Sequence, residues 1–146
     1  MTYHKVFIPR SDVYQIGGSQ IFQHFSHDEE GGKNLVVVPY STVKVLDSMK
    51  NQLFSAGAED ALKFLKSLPA GTQVQDGVTN FPLQDGLDLA MVNDTESGGR
   101  EDEESIKTLE DRISTAYKLA EGTEQKIITN KETFHIRFKG TSIMVE

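Results

Sequence analysis

LVVVPYSTVKVLDSMK, residues Leu35 to Lys50, carries two different periodicities in one short stretch. Leu35 to Val38 is a continuous, mostly β-branched apolar run, the pattern of a strand covered on both faces. Pro39 ends it. Beyond the proline, Val43, Leu46, Met49 and Leu53 recur at spacings of 3, 3 and 4, one face of a helix, with Ser41 or Thr42 as its N-cap. A buried strand leading directly into an amphipathic helix is the repeating unit of an α/β protein.

The same unit appears on either side. KVFIPRSDVYQ (Lys5 to Gln15) opens with the strand-like Val6-Phe7-Ile8, breaks at Pro9 and places Arg10, Ser11 and Asp12 at the turn. Leu87–Val92 is a further apolar run, and Ile127-Ile128 and Ile143–Val145 are shorter candidates. Helical stripes lie between them. Ala58, Ala61, Leu62, Leu65 and Leu68 form one, stopped by Pro69. Ile106, Leu109, Ile113, Ala116, Tyr117 and Ala120 form the longest, ending at Gly122. Ser26–Asn34 and Asn93–Arg100 read as flexible insertions, and Gly71–Gly86 as an irregular arm or small hairpin. The expectation is a single domain over residues 1–146. Its architecture is three-layer α/β/α, with a central, mostly parallel five-stranded sheet and right-handed crossovers.

Composition excludes several classes. No stretch approaches the roughly 20 apolar residues of a membrane span, and the N-terminus lacks the apolar core of a secretory signal. Without cysteine there is neither a disulfide framework nor thiolate chemistry. A cytoplasmic protein is expected. The net charge of −7 argues against broad, non-specific nucleic-acid binding. The acids are concentrated, however. Asp94 to Asp111 holds eight of them against Arg100 and Lys107, while Lys126 to Lys139 carries four cations against Glu132 alone. The acids at the front of the long helix suit its dipole, and a local basic face remains open.

Familiar chemical motifs are missing. Gly17-Gly18, Gly31-Gly32 and Gly98-Gly99 fit neither GxGxxG nor GxxxxGK[ST], so they read as turns. His24 and His27 stand three apart but have too few companions for a zinc site. Ser11, Ser19 and Ser41 lack a GxSxG setting. Carboxylates near strand ends remain as candidates to hold a hard cation: Asp12, Asp47, Glu110, Asp111 and Glu132.

Taken in order, these segments resemble a PIN domain, of the kind fused ahead of the ATPase in PhoH-like proteins. The resemblance rests on Lys5-Val6-Phe7-Ile8, Gly18-Ser19-Gln20-Ile21-Phe22, Leu35–Pro39 and Val43-Lys44-Val45-Leu46-Asp47-Ser48-Met49-Lys50. It continues through Glu110-Asp111-Arg112-Ile113, Ile127-Ile128-Thr129-Asn130-Lys131 and Ser142-Ile143. It covers nearly the whole chain through a succession of short motifs.

The resemblance implies a metal-dependent ribonuclease scaffold, in which acids at the carboxyl ends of the strands hold Mg²⁺ or Mn²⁺. Carried onto this chain, the four acidic positions fall on Arg10, Val45, Glu110 and Lys131. Asp12 takes the place of the turn's asparagine, Lys44 lies beside Val45, and Glu132 follows Lys131. One acid in four implies a degenerate site without a metal. The expected role is an RNA- or protein-binding module, with Arg10, Lys44, Lys131, Arg137 and Lys139 on phosphate. The alternative is an active Mg²⁺- or Mn²⁺-dependent single-strand ribonuclease using the shifted set Asp12, Asp47, Glu110, Asp111 and Glu132. A flavodoxin-like nucleotide or receiver domain shares the topology but finds no phosphate loop here. A homo-oligomer is left open, and a further domain beyond Glu146 is compatible with the resemblance.

Overall fold

The computed structural model describes residues 3–27, 32–49, 52, 56–94, 103–128, 134–138 and 141–145. It is an α/β protein built on a six-stranded, mostly parallel sheet. Chain order runs β1 (Lys5–Pro9), α1 (Ser11–Gly17), a 3-10 helix (Gly18–Phe25), β2 (Asn34–Pro39), α2 (Tyr40–Met49) and α3 (Ala56–Lys66). Then follow β3 (Thr72–Gln75), β4 (Val78–Gln84), β5 (Leu87–Val92), α4 (Glu103–Tyr117), β6 (Glu124–Ile128), β7 (Phe134–Phe138) and β8 (Thr141–Val145).

The strand order is β3-β4-β5-β2-β1-β6, with β5, β2, β1 and β6 mutually parallel. All six residues of β2 are buried, and alternate ones enter different cores. Val36 and Val38 join Leu87 and Leu89 with Val13, Tyr14, Phe22, Leu46, Ala61 and Leu62 from the helices that follow β1 and β2. Leu35 and Val37 join Val6, Ile8, Ala90 and Val92 with Leu109 and Ile113 of α4. This two-sided burial is why the strands read as unbroken apolar runs.

Two expectations need correction. The main sheet has six strands instead of five, because Gly71–Gly86 is ordered as β3 and β4, antiparallel to each other and to β5. The sequence reads QDG twice, at Gln75-Asp76-Gly77 and Gln84-Asp85-Gly86. Each Gly adopts positive φ, +75° and +79°, and closes a two-residue turn. Asp-Gly between strand-like runs is a strong hairpin signal, so of the two readings of this segment the small hairpin holds, and it extends the main sheet through β5. The expected strand Ile143–Val145 does form, inside β8, but it pairs with β7 in a separate two-stranded ladder. Only two residues separate the paired Phe138 and Thr141, so local hairpin closure wins over docking on the main sheet.

Helix ends shift modestly. The stripe beginning at Val43 belongs to a helix that starts earlier, at Tyr40, and Leu53 lies outside the described residues. α4 ends at Tyr117 and not near Gly122, because Lys118 turns left-handed at φ 49°. Among the described residues, no helix is long and apolar enough to cross a membrane.

Candidate functional site

In a parallel sheet the loops after the strands converge on one edge, and here the segments after β1, β2 and β5 contribute polar groups to it. After β1 come Arg10, Ser11 and Asp12. Arg10 is the extended residue that precedes α1, half-buried, with φ −83° and ψ 166°. Ser11 is buried, and Asp12 sits half-buried in the first turn of α1, where a negative charge favours the helix dipole.

After β2 and β5 the edge holds a direct link between strands. The register pairs Pro39 with Val92, so Ser41 and Asp94 stand at equivalent positions two residues beyond. Neighbouring strands lie about 4.8 Å apart, within reach of a short side chain. The Ser41 N–H donates to Asp94 Oδ1 at 2.9 Å, and the Ser41 hydroxyl donates to Oδ2 at 2.5 Å. Asp94 is only 8% exposed. It therefore caps α2 from another strand, taking up a backbone N–H of the first turn and placing negative charge at the helix's positive end.

The other side of Asp94 is fastened as well. Arg112 on α4 donates to the Asn93 carbonyl at 2.5 Å and to the Asp76 carbonyl at 2.8 Å. The Asn93 N–H donates to the Gly77 carbonyl at 2.7 Å. The end of β5, the β3–β4 turn, α2 and α4 are thus tied together within a few residues of the edge.

The remaining residues singled out from sequence are dispersed. Lys44 and Asp47 are exposed on α2, and Val45 is half-buried. Asp47 is six residues past Ser41, about 9 Å farther along the helix at 1.5 Å per residue. On α4, Glu110 is half-buried and Asp111 exposed. Burial, with Asp111 next to it, raises the Glu110 carboxyl above the usual range. Lys131, Glu132 and Lys139 lie outside the described residues, and Arg137 is placed only through its backbone pairing with Ser142 in β7. Among the described residues, no three of His, Asp and Glu come together as a metal-holding group. Both Asp94 oxygens are taken by Ser41, and Arg10 brings a positive charge to the first turn.

The opposite, amino-terminal edge holds a network that sequence reasoning missed. Asp88, in the middle of an apolar run and only 3% exposed, accepts from the Tyr3 hydroxyl at 2.6 Å and the Lys33 ammonium at 3.1 Å. The Tyr3 ring meets Tyr117 edge-on at 5.4 Å, and the Tyr117 hydroxyl donates to Asn80 at 2.9 Å. Burial raises both phenols above the usual tyrosine value, with the Asp88 charge adding to it. A lone acid inside LDLAMV was the available signal, because a buried charge needs a partner.

No protein-family model matches the chain, and no curated protein shows significant similarity to it. The class defined by the fold is an α/β protein with a mostly parallel sheet and a polar carboxyl edge.

Proposed function

We propose that this chain is a PIN-like domain of three-layer α/β/α architecture whose acidic site is degenerate. In this reading it binds RNA instead of cutting it. The observation that carries the reading is the placement of Arg10 at the carboxyl end of β1, where the resemblance expects the first metal-binding acid. A guanidinium there repels a divalent cation and attracts a phosphate. Three further features support it. β1 lies inside the parallel sheet, so its turn is central to the edge. Apolar clusters involving helices line alternate sides of β2, as a three-layer fold requires. Lys44 is exposed on the helix that starts from the same edge.

The test is fluorescence anisotropy with a labelled single-stranded RNA at low and moderate salt. Affinity falls steeply with salt when phosphates are neutralised by Lys and Arg. Arg10→Glu with Lys44→Glu should weaken binding at least tenfold and flatten the salt slope. RNA binding that is absent, or insensitive to both salt and these changes, would point to a protein partner. Incubation of the same RNA with Mn²⁺ addresses the ribonuclease alternative. Cleavage that disappears in Glu110→Gln would replace the proposal with an active nuclease.

A further inference from the structure

Tyr40 is the first residue of α2, directly after Pro39 at the carboxyl end of β2, and it is 40% exposed. The residues on either side of it, Pro39, Ser41 and Thr42, are buried. The backbone that carries the ring is therefore held firmly while the ring itself faces solvent.

The place is one where an α/β sheet opens. β2 and β5 are adjacent and parallel. Leu46 of α2, after β2, joins the apolar cluster that holds Val36 and Val38, whereas Leu109 and Ile113 of α4, after β5, join the one that holds Leu35 and Val37. Chains that leave neighbouring strands for different clusters part at the carboxyl edge, and ligands of open α/β sheets settle in that crevice. The helix start is not the binding group here. Asp94 already accepts the Ser41 N–H, and its negative charge repels a phosphate at that point. What the lip of the crevice offers instead is the flat face of Tyr40.

Lys44 lies four residues farther on and is exposed as well. Residues i and i+4 stand on one face of a helix, about 6 Å apart, so one nucleotide can touch both the ring and the ammonium. Arg10 flanks the other side. Continuing the register of Val6 with Leu35 and Phe7 with Val36 brings Arg10 level with Pro39, the residue before Tyr40. An aromatic face among basic groups is how single strands are held irrespective of sequence, with bases stacked on the ring and the backbone on the cations.

We propose that Tyr40 is the stacking platform for one unpaired base of a bound single-stranded RNA, with Lys44 on that nucleotide's phosphate. This rests on the RNA-binding reading of the same edge and adds to it a contact with a base. The stack is made by the ring face, so any base is accepted and the Tyr40 hydroxyl is not needed.

Fluorescence anisotropy with two labelled strands of equal length tests it, one an oligouridine and the other the same ribose-phosphate backbone without bases. The wild-type chain should bind the oligouridine at least about fivefold more tightly, the weight of a single base–aromatic stack. Tyr40→Ala should lose that advantage while keeping the salt slope, because no charge is removed. Tyr40→Phe should retain it. Equal affinity of the wild-type chain for the two strands overturns the inference with no variant needed. So does a Tyr40→Ala chain that still prefers the oligouridine as wild type does. In both cases the RNA-binding reading survives on the salt dependence carried by Arg10 and Lys44. RNA binding that is absent, or insensitive to salt, removes that reading and this inference with it.

Discussion

Asp94 receives both the backbone N–H and the hydroxyl of Ser41, so one buried carboxylate from the end of β5 caps the helix that follows β2. The link joins two adjacent parallel strands at the edge where Arg10 also stands. Removing the carboxylate leaves an N–H of the first turn of α2 without its acceptor, in a site closed to water. Asp94→Ala should cost about 2–3 kcal/mol, as expected when a buried, charge-assisted bond is lost. Asp94→Asn keeps one acceptor and should cost about half as much, on the order of 1 kcal/mol. Urea denaturation midpoints for the two variants check the order.

At the other edge, the Tyr3–Asp88–Lys33 group makes an uneven contribution. Tyr3→Phe deletes one neutral donor and should cost about 1 kcal/mol. Lys33→Met removes the only cation bonded to Asp88 among the described side-chain contacts, leaving a buried negative charge supported by a phenol alone. Breaking a buried pair from one side costs about 3–5 kcal/mol. Because the Lys33 side chain is 33% exposed, the expected loss falls below that range, about 2–3 kcal/mol. Thermal unfolding of both variants should rank Lys33→Met clearly below Tyr3→Phe. The reverse order would mean that the Asp88 charge is well solvated.

What could be read from the sequence follows from the range of the forces involved. Strands buried on both faces, such as Leu35–Val38, announce themselves by local composition. The helical stripe from Val43 to Met49 does so by its period. The QDG turns are equally local and support the small-hairpin reading of Gly71–Gly86, but that this arm pairs with β5 and extends the main sheet depends on the fold as a whole. Asp94 was different. It looked like one more acid in a charged stretch, and its role depends on the pairing of Pro39 with Val92, a contact between segments over 50 residues apart. Asp88 could be seen as an anomaly, but its partners Tyr3 and Lys33 come from other segments. The Arg10 turn was placed correctly past β1, while the convergence of Asp47 with it was not seen: α2 carries Asp47 outward to solvent.

Helix packing offers a sharper steric test. Gly57, in the first turn of α3, faces the end of α1, and a Cβ there would stand 2.8 Å from the Tyr14 carbonyl oxygen and closer to that of Gln15. Both obstacles are backbone, so neither can swing aside. The usual gain from replacing glycine by alanine in a helix is about 1 kcal/mol. Here Gly57→Ala should instead destabilise by about 1–3 kcal/mol through overpacking. A melting temperature that rises would show that α1 and α3 can move apart freely.

Asp60 provides the pH dependence. Its Oδ2 accepts from the Ser19 hydroxyl at 2.7 Å and the Ser19 N–H at 2.8 Å, holding the start of the 3-10 helix against α3. The Ser19 hydroxyl first, then the Ser19 N–H, with help from Lys63, hold the carboxyl below its ordinary value of 3.8. A folded-state value below the unfolded one means that the carboxylate stabilises the fold above about pH 4. That contribution is lost as pH falls through the lowered folded-state value. The site is largely exposed, so solvent screening limits the effect to about 1 kcal/mol. Asp60→Asn should therefore lower the urea midpoint at pH 7 and differ much less from wild type at pH 2.5. A variant equally destabilised at both pH values would show that Asp60 acts by shape and not by charge.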